Sequence, residues 1–207
     1  MNETLQNLAL PARVGGHISI DYINTLEARQ QQGETEYLLS YAHVLAWGQQ
    51  CETLTDTQVE HALQMAQLQP NAAQLALEFA RDVREILYGV CVIVLEHGGL
   101  SATDLLPLND VLARLLPYRR LQASGAGAVW SWADDAPLEC VLLPVVVAMS
   151  DLLVSEQVRQ LRQCPNCGWL FLDTSRNHSR RWCSMEFCGS KVKSKRQYER
   201  NRQSGQK

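Results

Sequence analysis

Four cysteines, Cys164, Cys167, Cys183 and Cys188, stand within a 25-residue stretch of a 207-residue chain. Their spacing is C-x2-C-x15-C-x4-C. The first pair lies in CPNCG, which has the form of a metal knuckle. A tight turn brings two thiolates onto one ion, and Gly168 lets the chain fold back. The gap of 15 residues before the second pair suits a paired-cysteine zinc site. Four thiolates around one Zn²⁺ leave no open coordination position, so the chemistry expected is structural and not hydrolytic. Disulfides need an oxidising compartment, and nothing in the chain points to one. His178 lies between the pairs and reads as a loop residue, because four cysteines already complete the ligand set. Cys51, Cys91 and Cys140 sit singly among apolar residues and read as small core hydrophobes.

The second pair constrains the local fold. On a continuous α-helix, residues five apart differ by about 140° and point apart. Cys183 is therefore expected just before a helix and Cys188 in its first turn. With Trp169 and Phe171 alternating along a strand that leaves the knuckle, the arrangement is a treble clef: knuckle, hairpin, ligand at a helix start. The helix dipole there favours thiolate. A module of about 40 residues cannot hold itself together by burial alone. One structural zinc ion is the expected cofactor, contributing about 10–16 kcal/mol in small sites of this kind.

Cations follow the cysteines directly. CGSKVKSKRQYERNR contains no helix breaker after Gly189. Lys191, Lys195 and Arg202 share one helical face with Tyr198 beside them, and Lys193, Arg196 and Arg200 are assigned to an adjacent face. Arg176, Arg180 and Arg181 precede Cys183 and are expected to join the same patch. Residues 1–158 carry 7 Lys/Arg against 19 Asp/Glu, whereas residues 159–207 carry 12 against 3. The formal net charge of −3 thus conceals −12 and +9. Such asymmetry suggests a basic module that meets a polyanion, joined to a body with another task. A basic helix braced by a zinc site fits a DNA groove, and double-stranded DNA is the expected partner. The competing readings are a zinc-stabilised RNA- or protein-binding adaptor and a basic helix docked on the chain's own acidic body.

The elements that must carry this site are mostly helical. GHISIDYINTLEAR begins with alternation (Ile18, Ile20, Tyr22) and then turns helical. Leu38, Tyr41 and Leu45 have helical spacing. Thr55 or Asp56 can cap a short helix to about Gln67. Leu75, Phe79, Val83, Ile86, Val90 and Val94 predict one stripe of a long helix over 71–97, ended by Gly98-Gly99. Ser101 or Thr103 starts another helix through Leu105, Leu108, Val111, Leu112 and Leu115. AVWSWA alternates at period two and predicts a hairpin with DDAP as its turn. Pro144 suits the first turn of a helix to about Val158. The fold class read here is mainly α: a helical domain with a small β hairpin over 1–158, then a treble-clef-like zinc finger with four cysteine ligands over 159–207.

The residues resemble a known family. TSRNHSRRWCSMEFCGSKVKSKRQYERNR is similar to the CGNR-type zinc fingers of bacterial transcription regulators, in which an ABATE domain precedes the finger. GGHISIDYINTLEAR is similar to that domain's opening pattern, and VREILYGV, PLNDVLARL and LFLDTSRNHSRRWC match in order and placement. The resemblance implies DNA binding and stress-induced regulation. One departure stands out: residues 188–191 read CGSK where the family has CGNR. Lys191 keeps the charge but not the planar fork that recognises a base bidentately.

For the acidic body the resemblance and the charge leave a sensing or dimerising role. Asp21, Asn24, Arg84 and Asn109 are candidate pocket residues for a small-molecule effector. An apolar helix face is a candidate homodimer contact, which suits two DNA half-sites. No P-loop, nucleotide fingerprint, HExxH or nucleophile elbow occurs, so no enzyme is expected. The longest apolar run, residues 140–149, is too short to span a bilayer, which takes about 20 helical residues. No basic segment precedes the apolar residues of the N-terminus, so a cytoplasmic protein is expected.

Overall fold

The computed structural model describes residue 5 and residues 7–27, 29 and 34–204, the side chains of Arg196, Gln203 and Ser204 excepted. Its centre is a short helix, α1 (Ile18–Ile23), whose residues 19–23 are all buried. This segment alternates in type, yet it is helical from Ile18 onward. Polar and apolar side chains alike are buried because neighbours cover it on every side, so alternation carries no strand signal here. Gly15 leads into it at a place where a Cβ would come within 2.7 Å of the Ile20 side chain. Gly16 follows with φ +77°, a conformation that costs a side-chain-bearing residue about 1–2 kcal/mol.

Polar side chains tether α1 to three elements. The Ser19 hydroxyl donates to the Val145 carbonyl at 2.9 Å and Tyr22 donates to the Ala80 carbonyl at 2.8 Å. Asn24, just after the helix, donates to the Leu170 carbonyl at 2.9 Å and accepts from the Leu170 amide at 3.0 Å. Tyr22 also meets Trp47 edge to face, with ring centroids 5.0 Å apart.

A two-residue strand pair, β1 (Leu26–Glu27) and β2 (Thr35–Glu36), leads to α2 (Tyr41–Gln50) and α3 (Asp56–Leu68). Thr55 caps α3 as expected, in a full capping box with Gln58. The long helix α4 (Pro70–His97) starts on a proline and ends at Gly98, which has φ +71°. Its buried face is Ala76, Leu77, Ala80, Val83, Arg84, Leu87, Val90 and Cys91. Val83 and Val90 of the expected stripe are buried and Phe79, Ile86 and Val94 pack at its margin, but Leu75 is 65% exposed, and Phe79 is half-buried beneath the Arg114 guanidinium. Two alanines and an arginine share the inner positions with Leu77, Val83, Leu87, Val90 and Cys91, and a search by apolar bulk passes over the alanines and the arginine.

α5 (Leu106–Leu115) buries Leu108, Val111 and Leu115. The hairpin β3 (Arg119–Ser124) and β4 (Gly127–Trp132) pairs Ser124 with Gly127. Its turn is Gly125-Ala126 and not the DDAP segment. A two-residue turn needs positive φ, and Gly125 supplies +58°. α6 (Leu143–Val154) ends four residues before Val158, because Ser155 turns extended and its hydroxyl accepts from the Gln157 amide. β5 (Leu161–Gln163) and β6 (Leu170–Leu172) form the zinc-finger hairpin, and α7 (Ser190–Ser204) closes the described chain. The molecule is mainly α with small two-stranded sheets and a C-terminal four-cysteine finger. Among the described residues, no helix is long and apolar enough to cross a membrane.

Candidate metal centre and nucleic-acid interface

The strand period places β6 between two apolar clusters. Leu170 and Leu172 point into the main core, and Trp169 and Phe171 point to the cysteines. The knuckle turns between the strands: the Gly168 amide donates to the Cys164 carbonyl at 2.9 Å, and the Cys164 amide to the Trp169 carbonyl at 2.8 Å. Gly168 has φ +78°, which explains a glycine at this point.

The second pair is arranged by a wider turn than an α-helix. Residues Met185–Gly189 form one π-helical turn, with Ser184 as N-cap accepting from the Phe187 amide. The Gly189 amide reaches back five residues to the Ser184 carbonyl at 3.0 Å. Cys183 thus lies just before the turn and Cys188 within it, and their sulfurs stand 3.5 Å apart. Cys167 and Cys183 sulfurs are 3.6 Å apart, and all four sulfurs lie within 4.8 Å of one another, all buried. A disulfide would need about 2.05 Å. A tetrahedral ion with Zn–S bonds of about 2.3 Å sets its sulfurs about 3.8 Å apart, so the donor set fits one zinc ion. Hydrogen bonds from Cys167 and Cys183 hold the Cys164 thiol well below the usual range. Its neighbours move the other way: Cys167 is pushed up to about 12, chiefly by the Cys164 partner, and Cys183 is also raised. Negative sulfurs packed this closely repel one another, and a dication among them offsets that repulsion. His178 stays outside the cluster; its Nδ1 lies 2.9 Å from the Asp173 carbonyl in a residue with φ +46°.

Two comparisons with known families bear on this geometry. Residues 16–156 match ABATE, described as "Putative stress-induced transcription regulator", and residues 160–201 match the CGNR zinc finger. The chain belongs to the ABATE family. It carries a CGNR finger that fits one structural zinc ion, with Cys164, Cys167, Cys183 and Cys188 as the residues that would bind it. Neither family is an enzyme family. A comparison with curated proteins finds no match.

In the CGNR finger the nine candidate nucleic-acid contacts divide. Lys191, Lys193, Lys195, Arg200 and Arg202 are exposed on α7, and the Arg196 side chain lies outside the described residues. At about 100° per residue, Lys193 and Arg200 fall on the side of α7 opposite Lys191, Lys195 and Arg202, not on an adjacent face. Arg176 is exposed, and Arg181 is exposed with its guanidinium 5.0 Å from the Trp182 ring centroid. Arg180 is occupied internally: it donates to the carbonyls of Val14 (2.9 Å), Trp182 (3.0 Å) and Cys183 and covers the Phe171 ring. It braces the loop that delivers Cys183 against the segment that leads into α1.

The four candidate pocket residues do not converge. The Asp21 carboxylate accepts from the Gly15 amide at 2.7 Å, and burial raises its pKa in spite of that bond. Asn24 is spent on Leu170. Arg84 grips Glu36 with two bonds of 2.6 and 2.7 Å and also meets Glu85 and Thr25. Asn109 is exposed at the rim of an apolar cleft of about 410 Å³ between α4, α5 and α6, lined by Val94, Leu108, Leu112 and Leu153.

Sequence reasoning passes over Asp173. It is fully buried and accepts from the Ser175 amide and hydroxyl and from the Arg180 amide, so it shapes the loop before Cys183. The Ser175 hydroxyl bond is the first cause of its lowered pKa. Its signal is present in the chain: Asp two residues before Ser is an Asx-turn pattern.

Proposed function

We propose that this ABATE-family chain is a transcription regulator that binds double-stranded DNA through α7. The carrying observation is that α7 continues directly from the zinc turn and has every described side chain but Val192 exposed. A helix with cations on opposite sides suits a groove with phosphates on both walls. The zinc turn fixes where that helix starts. Residues 1–158 form the sensing or dimerising part and residues 159–207 the DNA-contacting part. With Asp21, Asn24 and Arg84 committed to internal partners, the cleft beside Asn109 is the better place for an apolar effector.

A salt titration of binding to duplex DNA by the zinc-loaded chain tests the first part. Affinity should fall steeply with salt. Neutralising Lys195 and Arg202 together should flatten the slope by about one per lost phosphate contact. A chain that ignores duplex DNA at moderate salt, or a double variant with an unchanged slope, rules out this surface.

A further inference from the structure

The cations are not the only ordered feature of α7. At about 100° per residue, Ser190, Ser194, Gln197 and Asn201 fall within a sector of about 60°. All four are exposed, uncharged and able to hydrogen-bond. Ser190, Ser194 and Gln197 line one shallow surface groove together with Lys193. The sector is flanked by Tyr198, Lys191, Arg202 and Lys195 on one side and by Lys193 and Arg200 on the other. The opposite side of the helix carries half-buried Val192 and the acid Glu199. A neutral amide and hydroxyl stripe thus has cations on both sides, with Tyr198 at one margin and an apolar and an acidic residue on the opposite side.

We infer, on the reading that α7 binds duplex DNA, that Gln197 and Asn201 are the base-reading residues of a major-groove helix whose flanking cations hold the phosphates. The major groove is about 12 Å wide and admits one α-helix. Cations on both flanks meet the two phosphate walls, and the stripe between them faces the base edges. Gln and Asn match adenine there, donating to N7 and accepting from the N6 amino group. The Gln197 amide donates to the Asn201 side-chain oxygen at 3.0 Å, so the two amides already stand side by side one turn apart. Ser190 has a different task, because its hydroxyl donates to the Met185 carbonyl at 3.0 Å and ties α7 to the zinc turn. Readout therefore lies about two to three turns beyond the position at which this chain departs from the CGNR pattern. RNA is a poorer occupant, because its deep, narrow major groove does not admit such a helix.

The test uses the full zinc-loaded chain and a randomised duplex library. The wild-type chain should select a motif containing adenines, bind it in preference to a scrambled duplex, and ignore RNA of the same sequence. The double variant Gln197→Ala/Asn201→Ala should keep its zinc, its affinity for scrambled duplex and its salt slope. Its preference for the selected motif should fall about ten-fold or more. Asn201→Arg should move one selected position from adenine to guanine. An unchanged preference in the double variant overturns the inference, as does an equal loss on selected and scrambled duplexes. So does a wild-type chain that binds all duplexes equally or favours RNA. Equal binding to all duplexes leaves the proposed function standing, whereas no duplex binding removes both.

Discussion

Arg84 shows how one buried cation is kept. It is 3% exposed, and its guanidinium is matched by both Glu36 oxygens, by Glu85 and by Thr25. A buried pair of this kind is costly to break from one side, because the remaining charge stays without water. Burial works to raise the Glu36 carboxyl. Hydrogen bonds from Arg84 and the Leu38 amide, with the charges of Arg84 and Arg81, outweigh burial and hold it below its ordinary value of 4.5. A depressed carboxyl gives stability that is complete above the unfolded-state pKa and is lost as pH falls through the folded-state one. Resistance of the wild-type chain to urea unfolding should therefore weaken as pH drops below 4.5. Glu36→Gln should lower stability by about 3 kcal/mol at neutral pH. It should also flatten the acid limb. A variant that responds to acid as steeply as wild type would assign that limb to other carboxylates.

At the scale of elements, α1 and β6 are joined more firmly than their separation in sequence suggests. Asn24→Ala would leave the Leu170 amide and carbonyl both buried and unpaired, at about 1–3 kcal/mol each. The variant should unfold at lower urea and should lose zinc faster to a chelator. Intact zinc retention would show that the finger holds its shape without α1. What can be read in advance follows from how local each cause is. The capping box of α3, the glycine end of α4 and the C-x2-C knuckle are written in adjacent residues, and each is legible. The inner face of α4 is not, because Ala76, Ala80 and Arg84 face inward only once their neighbours are in place. The stronger turn composition of DDAP misplaces the hairpin turn, although Gly125 alone supplies the required backbone. Among candidate pocket residues, Asp21, Asn24 and Arg84 are polar and central for the reason that makes them unavailable: they join buried elements. The cations of α7 are legible as a cluster, but the neutral stripe between them needs a helical register fixed by the π turn.

For the whole molecule, the main core runs from α1 and α4 through Leu161, Leu170 and Leu172 into the finger hairpin. Val14 and Tyr37 in turn pack against the cysteine cluster. Body and finger should accordingly behave as one cooperative unit. Removing zinc should raise amide exchange in α1 and α4 as well as around the cysteines, in a single transition. Exchange confined to residues near the cysteines would mean that the body is stable alone. The contact that joins the two parts has another effect. Residues 170 and 172 of β6 turn their backbone groups away from β5; Asn24 takes both groups of Leu170, and the Gly15 carbonyl takes the Leu172 amide. The outer edge of this small sheet is thereby closed to any further strand. An amide side chain that fastens finger to body also guards against chain-to-chain pairing, so its loss invites aggregation and not merely unfolding.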